Sequence, residues 1–486
     1  MLKTPHAVRR ACLFLLVFDI GLLGPPGSIS GQQSSGNVSR EAARRSPDWL
    51  SSGVIYEINP RTFSEAGNFD GIIGRLDYLK SVGVTILWLM PIHPVGQLRK
   101  KGTLGSPYAV RDYYAINPAY GSKDDLHRLV NEAHRRGLKV IIDIVANHTA
   151  WDSVMMKTPD FYRHDSTGQV ISPDDWTDVA GLDYSNPRLR AYMIDMLKYW
   201  LREFDLDGFR CDAAAHVPTF FWEQARQELE KQKPDMIMLA EAQNPELLVH
   251  AFDLDYAWPF YHALARVIAD GAPSTTLELT WKEERATSPR GALHMRFADN
   301  HDEQRAIARF GMGGALAAFA MVFTMDGLPL IYNGTEAGDA TESGDPALFE
   351  KLPVFWPIAE RRPEFPRFSR QIIALRRAHP ALCQGETEWL HNSDEGRVIS
   401  YLRKADHEEF LVALNTSNRP FRGTVEVANG PAFQEVTPDI GSSFQHNDPP
   451  PPTALPAISL GSWGFRIFQR ERPQGPSGSE GLHDLR

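Results

Sequence analysis

The sequence predicts an α/β chain: a (β/α)8 TIM barrel with a short insertion after its third strand, followed by an antiparallel β-sandwich domain. Three observations carry that expectation. Eight short apolar runs alternate with amphipathic helical patterns over roughly 320 residues, slightly long for a barrel of ~250. No glycine-rich phosphate turn follows the first run, which argues against a doubly wound sheet. Beyond about His379 the helices stop, and short strands follow one another through turns.

Residues 1–30 combine Arg9 and Arg10, an apolar run from Ala11 to Leu23, and a small-x-small site at Ser28-Ile29-Ser30. That is the layout of a secretory signal peptide, implying a secreted or periplasmic protein. Asp19 and the shortness of the run weigh against a stable membrane span. Residues 31–48, polar and serine-rich, read as a flexible leader.

The barrel strands are expected at Val54–Ile58, Thr85–Leu89, Lys139–Asp143, Gly208–Asp212, Met236–Ala240, Phe252–Asp255, Met295–Phe297 and Pro329–Tyr332. Helical patterns lie between them, among them Lys123–Arg136, stopped by Gly137, and Arg188–Phe204. Gly314–Met325 is apolar but short and reads as a buried helix. Turn-rich sequence at 149–183 is expected to form a short lobe on the face where barrel active sites lie. The catalytic barrel would then cover 49–378. The sandwich, 379–470, rests on runs at Val398–Leu402, Phe410–Leu414, Gly423–Val427 and Gly464–Phe468, and a Pro/Gly/Ser-rich tail, 471–486, is expected to be disordered.

Composition narrows the function classes. The 51 Lys plus Arg against 61 Asp plus Glu give a net charge of -10 with no large basic cluster, which excludes a nucleic-acid partner. Three cysteines, Cys12, Cys211 and Cys383, are too few for a disulfide framework; Cys211 and Cys383 read as buried thiols, with a bridge between them the alternative. No CxxC or HExxH metal signature occurs, and the metal question stays open.

The chemistry concentrates at three strand ends. In Gly208-Phe209-Arg210-Cys211-Asp212 the alternation of strand side chains puts Arg210 and Asp212 on one face. A guanidinium there is expected to keep the Asp212 carboxylate ionised, as a nucleophile requires. Glu241 follows the fifth run, flanked by alanines and with no cation nearby in sequence, so burial is expected to favour its protonated form. Asp302 closes Asp299-Asn300-His301-Asp302. Three acids at barrel-strand ends, with Arg and His beside them, point to glycoside chemistry.

The chain resembles the α-amylase family of retaining glycoside hydrolases from about Val54 to Phe468. Four motifs stand in the family's order: Asp143-Ile144-Val145-Ala146-Asn147-His148, Gly208 through His216, Ala240-Glu241-Ala242, and Phe297 through Asp302. Tyr108 through Tyr113 and Gly327 through Glu336 support them. The resemblance implies Asp212 as nucleophile, Glu241 as general acid/base and Asp302 as transition-state stabiliser. It further implies substrate contacts from Tyr108, His148, Arg210, His216, His301 and Asp345, with Asp143 and Asn147 behind them.

Asn147 matches a position that ligates structural calcium in long-lobed relatives; the short lobe here leaves calcium optional, and no cofactor is required. The sequence departs from the family where Ala215 replaces a lysine of many endo-acting amylases and Phe349 replaces an arginine. The resemblance implies cleavage of α-1,4 bonds in starch-like glucans or maltooligosaccharides. An exo-acting α-glucosidase or a glucanotransferase is the alternative within the family, and an inactive sugar-binding module is the alternative outside it.

Overall fold

In the computed structural model, which describes residues 37–345, 347–439 and 454–472, eight parallel strands close into a barrel. They are Ile55–Ile58, Ile86–Leu89, Lys139–Val145, Gly208–Asp212, Ile237–Ala240, Leu254–Tyr256, Leu293–Arg296 and Leu328–Tyr332. Each pairs with its predecessor, and the eighth pairs with the first.

The side chains facing inward form two tiers. Lower in the barrel, Ile55, Ile86, Ile141, Ile237, Leu239, Leu254, Met295 and Leu328 make an apolar core. One step along the same faces stand Glu57, Asp143, Arg210 and Glu241. The period-2 alternation therefore turns an apolar plug into a ring of charge at the C-terminal mouth. Gly208 opens the fourth strand at φ +146, and a Cβ there would lie 2.0 Å from the Ile237 carbonyl oxygen, so only glycine admits this close strand contact.

Helices Lys123–Arg135, Pro187–Phe204, Thr219–Glu230, Trp258–Asp270, Ala306–Thr324 and Glu364–Ala378 belong to the outer layer. The first starts with a capping box between Ser122 and Asp125, which satisfies amides that the first helical turn leaves without partners. Ala306–Thr324, which contains most of the apolar run expected as a buried helix, is long and apolar enough to cross a membrane, yet 72% of it is buried within the protein. Its backbone breaks at Gly311, where φ is 70°.

The lobe expected at 149–183 holds a short antiparallel hairpin, His148–Ala150 with Val179–Gly181, and two single turns. Past the last barrel helix, five antiparallel strands (Glu386–Trp389, Val398–Lys404, Glu408–Asn415, Phe465–Glu471 and Gln434–Glu435) face a two-stranded sheet of Phe421–Thr424 and Ala457–Leu460. Leu402, Leu411, Phe421, Ile458 and Phe468 share the core between these sheets. The other face of the larger sheet, through Tyr401, Phe410 and Phe465, joins the barrel core. The Tyr401 hydroxyl bonds Thr324 Oγ1 at 2.6 Å.

Two expectations need correction here. The leader expected to be flexible up to residue 48 is tied down from Asn37 onward within the described residues. Ala43 and Arg44 donate backbone N–H groups to Arg290 and Leu248, and the Arg44 guanidinium reaches Glu230 at 2.6 Å and also Asp253. Leu50, just beyond, is fully buried against the floor of the barrel. The last strand runs through Glu471, past the start expected for the tail. The signal expected at 1–30 and the tail from 473 lie outside the described residues.

Candidate active site

A cavity of about 340 Å³ opens at the C-terminal mouth of the barrel, lined by Tyr108, His148, Asp212, Glu241, His301 and Asp302 together with loop residues. The fourth strand supplies Asp212 at its last position. The loop after the fifth strand supplies Glu241 at its first position, and the loop after the seventh, which ends at Arg296, supplies Asp302 further along. Three acids distant in sequence thus share one hollow.

Arg210 organises the floor. It is fully buried, and its Nη1 donates to Asp212 Oδ1 at 2.9 Å and to Asp143 Oδ1 and Oδ2 at 3.0 and 3.1 Å. Its Nη2 stands 2.8 Å from Glu241 Oε1, a charge contact without a well-directed hydrogen bond. Tyr256 Oη accepts from Nε at 3.1 Å. Arg210 is absent from the cavity wall and lies behind the carboxylates, so it orients the acids instead of meeting substrate. One guanidinium touching both Asp212 and Glu241 is compatible with the ~5–5.5 Å carboxyl spacing of retaining enzymes.

This arrangement corrects two electrostatic expectations. Glu241 does have a cation beside it, brought from the neighbouring strand where no sequence distance would reveal it. Asp212 is held above the usual carboxylate range, because burial outweighs the Arg210 guanidinium that favours ionisation. Burial likewise raises Asp143 to about 7 against the pull of Arg210. Asp302 is raised by burial and by Glu241, with His301 opposing; 40% of its side chain remains open. Five carboxylates, those of Glu57, Asp143, Asp212, Glu241 and Asp302, share two cationic partners, Arg210 and His301.

The two site histidines differ in charge. Burial disfavours the charged form of both. At His301, Asp302 and Glu57 overcome that penalty and push the pKa up to about 9, with Nδ1 on Glu57 Oε1 and Nε2 on Tyr108 Oη at 2.7 Å. At His148 burial dominates and pulls it down to about 4. At neutral pH the mouth therefore carries one imidazolium and one neutral imidazole. Tyr108 stacks on the His301 ring with centroids 5.4 Å apart and donates to Asp143 Oδ2 at 3.1 Å.

Asp345 lines the cavity from the loop after the eighth strand. His216 does not: its side chain is 44% exposed, packs beside Trp176 of the cavity wall and stands 3.5 Å from Asp174. The chain turns through Ala213 in the left-handed region (φ 44, ψ 41) and a single 3-10 turn, which carries His216 outward. Asn147 is fully buried, and its Oδ1 faces Arg163 Nη2 at 3.5 Å.

The match to known proteins follows this geometry. Residues 57–398 match the family model for the α-amylase catalytic domain. The chain belongs to the α-amylase family. It is thus an enzyme of the retaining glycoside hydrolase type. It is 30% identical to a maltogenic α-amylase of Thermotoga neapolitana, with TM-score 0.74, covering 87% of this chain and 97% of that one. An α-amylase of Lactobacillus plantarum is also 30% identical, with TM-score 0.76 and coverages of 86% and 99%. An α-amylase of Haloarcula japonica is 29% identical over 402 residues, 78% of this chain, and the chain spans 58% of its length.

Several residues of this α-amylase-family site escaped sequence reasoning. Glu57, inward on the first strand, holds His301. Its signal was legible: a lone acid on the inward face of an otherwise apolar strand. Trp88 donates Nε1 to Asp143 Oδ2 at 3.3 Å. Trp176, Lys101 and Asp178 line the cavity from irregular segments, where no periodicity marks them, and Phe349, noted only as a departure from the family, lines it from a 3-10 turn. Lys101 Nζ meets Asp178 at 2.9 Å, joining the loop after the second strand to the lobe.

Proposed function

We propose that this enzyme cleaves α-1,4-glucosidic bonds of starch-like α-glucans and maltooligosaccharides with retention of anomeric configuration. The convergence of Asp212, Glu241 and Asp302 on one cavity carries the reading. Asp212 attacks the anomeric carbon as the glycosidic C–O bond breaks, and Glu241 gives its proton to the departing oxygen. Water then attacks the same carbon, Glu241 takes the proton, and Asp212 is released. Asp302 holds hydroxyls of the distorted sugar, and the His301 imidazolium, engaged through its two N–H groups with Glu57 and Tyr108, lends its positive charge beside it. Neutral His148 offers one N–H, and the Tyr108 ring forms a face for the pyranose.

Relatives named as maltogenic amylase, cyclomaltodextrinase and neopullulanase accord with short α-glucans as substrates. The Lys101–Asp178 bridge at the cavity edge favours, as a second reading, exo-type action or glucanosyl transfer on short chains. Products from maltoheptaose, compared with turnover of a chromogenic monoglucoside, separate the two: mixed internal fragments support the first, stepwise glucose or maltose release the second. The first-formed anomer, followed by NMR, tests retention, and an inverted product overturns the mechanism. Export is part of the proposal, and N-terminal sequencing of the mature protein checks it by showing cleavage near residue 30.

A further inference from the structure

The lobe carries a cation that the reaction does not use. Arg163 donates through Nε to the Leu182 carbonyl at 3.0 Å and directs Nη2 at Asn147 Oδ1 (3.5 Å) and at the His216 carbonyl (3.4 Å). These oxygens come from three places. Asn147 follows the third barrel strand, Leu182 ends the lobe, and His216 closes the turn after the fourth strand. Leu182 in turn donates its N–H to the Asn147 carbonyl at 3.0 Å, so the junction is knitted from both sides.

Oxygens converging on one positive charge is also what a calcium ion needs, and Asn147 is the residue the family resemblance assigns to such an ion. The surroundings do not fit it. Calcium takes about six to eight oxygen ligands, whereas no group of three or more His, Cys, Asp or Glu able to hold a metal occurs among the described residues. The guanidinium already fills the position with donors, and a divalent ion beside it would meet like charge at contact distance.

We propose that Arg163 is a positioning residue that takes the place of a structural calcium ion, so that the junction between lobe and barrel is held without metal. The consequence reaches the site through two histidines. His148 adjoins Asn147 in sequence, and His216 offers its carbonyl to Arg163. Their rings flank Trp176 with centroids 5.4 and 5.6 Å away. Fixing Asn147 and His216 to one planar cation sets the gap in which Trp176 stands at the cavity wall.

The test uses the full chain. After EDTA treatment and again with added calcium, the wild type is expected to keep its Tm and kcat. Arg163→Gln removes the charge; it is expected to lower Tm and to cost about tenfold in kcat/KM, chiefly through KM. Arg163→Lys keeps the charge and is expected to recover most of both. Loss of Tm in EDTA that calcium restores would overturn the proposal, as would Lys and Gln variants that behave alike. The KM readout rests on the glucan-hydrolase reading above. If no variant turned over glucan, that reading would fail, while the calcium and Tm readouts would still decide the role of Arg163.

Discussion

At the N-terminal end of the barrel Asp207 sits just before the fourth strand, where His134, Lys139 and Lys233 surround it and the Val140 amide donates to it. Burial opposes its ionisation, yet these partners prevail and draw the carboxyl down to about 2. Asp326, before the eighth strand, is drawn to about 2 in the same way, by Arg296 and Arg403 against burial. At the C-terminal mouth, burial pushes Glu57, Asp143, Asp212, Asp299 and Asp302 in the opposite direction. The difference lies in stoichiometry. Below, Asp207 and Asp326 each face at least two cations; above, Glu57, Asp143, Asp212, Glu241 and Asp302 divide one guanidinium and one imidazolium, and at Asp299 burial outweighs Arg305. The lower end spends its charges on stability, and the upper end keeps them in mutual conflict for chemistry.

The largest expected effect tests the upper end. Asp212→Asn and Glu241→Gln should each lower kcat at least about a thousandfold. Both should leave Tm unchanged or raised, because each removes a charge from a crowded set. A loss of both activity and stability would erase the contrast.

The second break is the mirror image. Asp207→Asn strands the Lys139 and Lys233 ammonium groups and should cost about 3 kcal/mol in denaturant unfolding, with kcat/KM held. A stability unchanged within error would show the lower ion pairs to be incidental. The sign of the pH dependence follows. A lowered Asp207 contributes stability that is present above about pH 4 and is lost as the pH falls toward 2, worth about 2 kcal/mol. In the variant, that part of the acid limb should flatten.

His301, raised to about 9, works the other way. Its contribution is complete below about pH 6.5 and is lost as pH rises through 9. Glu57→Gln removes one anion from its ring, so the alkaline limb of kcat/KM should move to lower pH. An unmoved limb would detach His301 from activity. The smallest effect belongs to the rim. Lys101→Met breaks a partly exposed ion pair worth about 0–1 kcal/mol. It should change KM for long glucans a few-fold while sparing short ones, and equal change for both would remove the rim from chain-length selection.

The barrel was legible because its strands are apolar runs separated by helices; every expected run overlaps an observed strand. Errors were of phase: Phe252–Asp255 is realised as Leu254–Tyr256, and Met295–Phe297 as Leu293–Arg296. The sandwich was legible only where buried. Glu386–Trp389 alternates between exposed and half-buried residues and escaped notice, and Gly423–Val427 is realised as Phe421–Thr424. In the site, Arg210 and Asp212 could be read because strand alternation fixes their direction, and Glu241 because it directly follows the fifth strand; Asp302 lies beyond the end of the seventh strand and was legible through its motif. Trp176 could not be read, because irregular backbone fixes nothing locally. His216 misled because a single 3-10 turn, Ala214–His216, carries its side chain outward without altering the motif.

That turn has a further consequence. Ala213 holds a left-handed backbone with a Cβ, and its amide donates to Glu241 Oε2 at 2.8 Å. Nucleophile and proton donor are therefore clamped through a peptide group that few residue types tolerate. Anyone redesigning this position works from a narrow palette: glycine, asparagine or aspartate keep the bend, while valine, isoleucine or threonine would strain it and shift the proton donor.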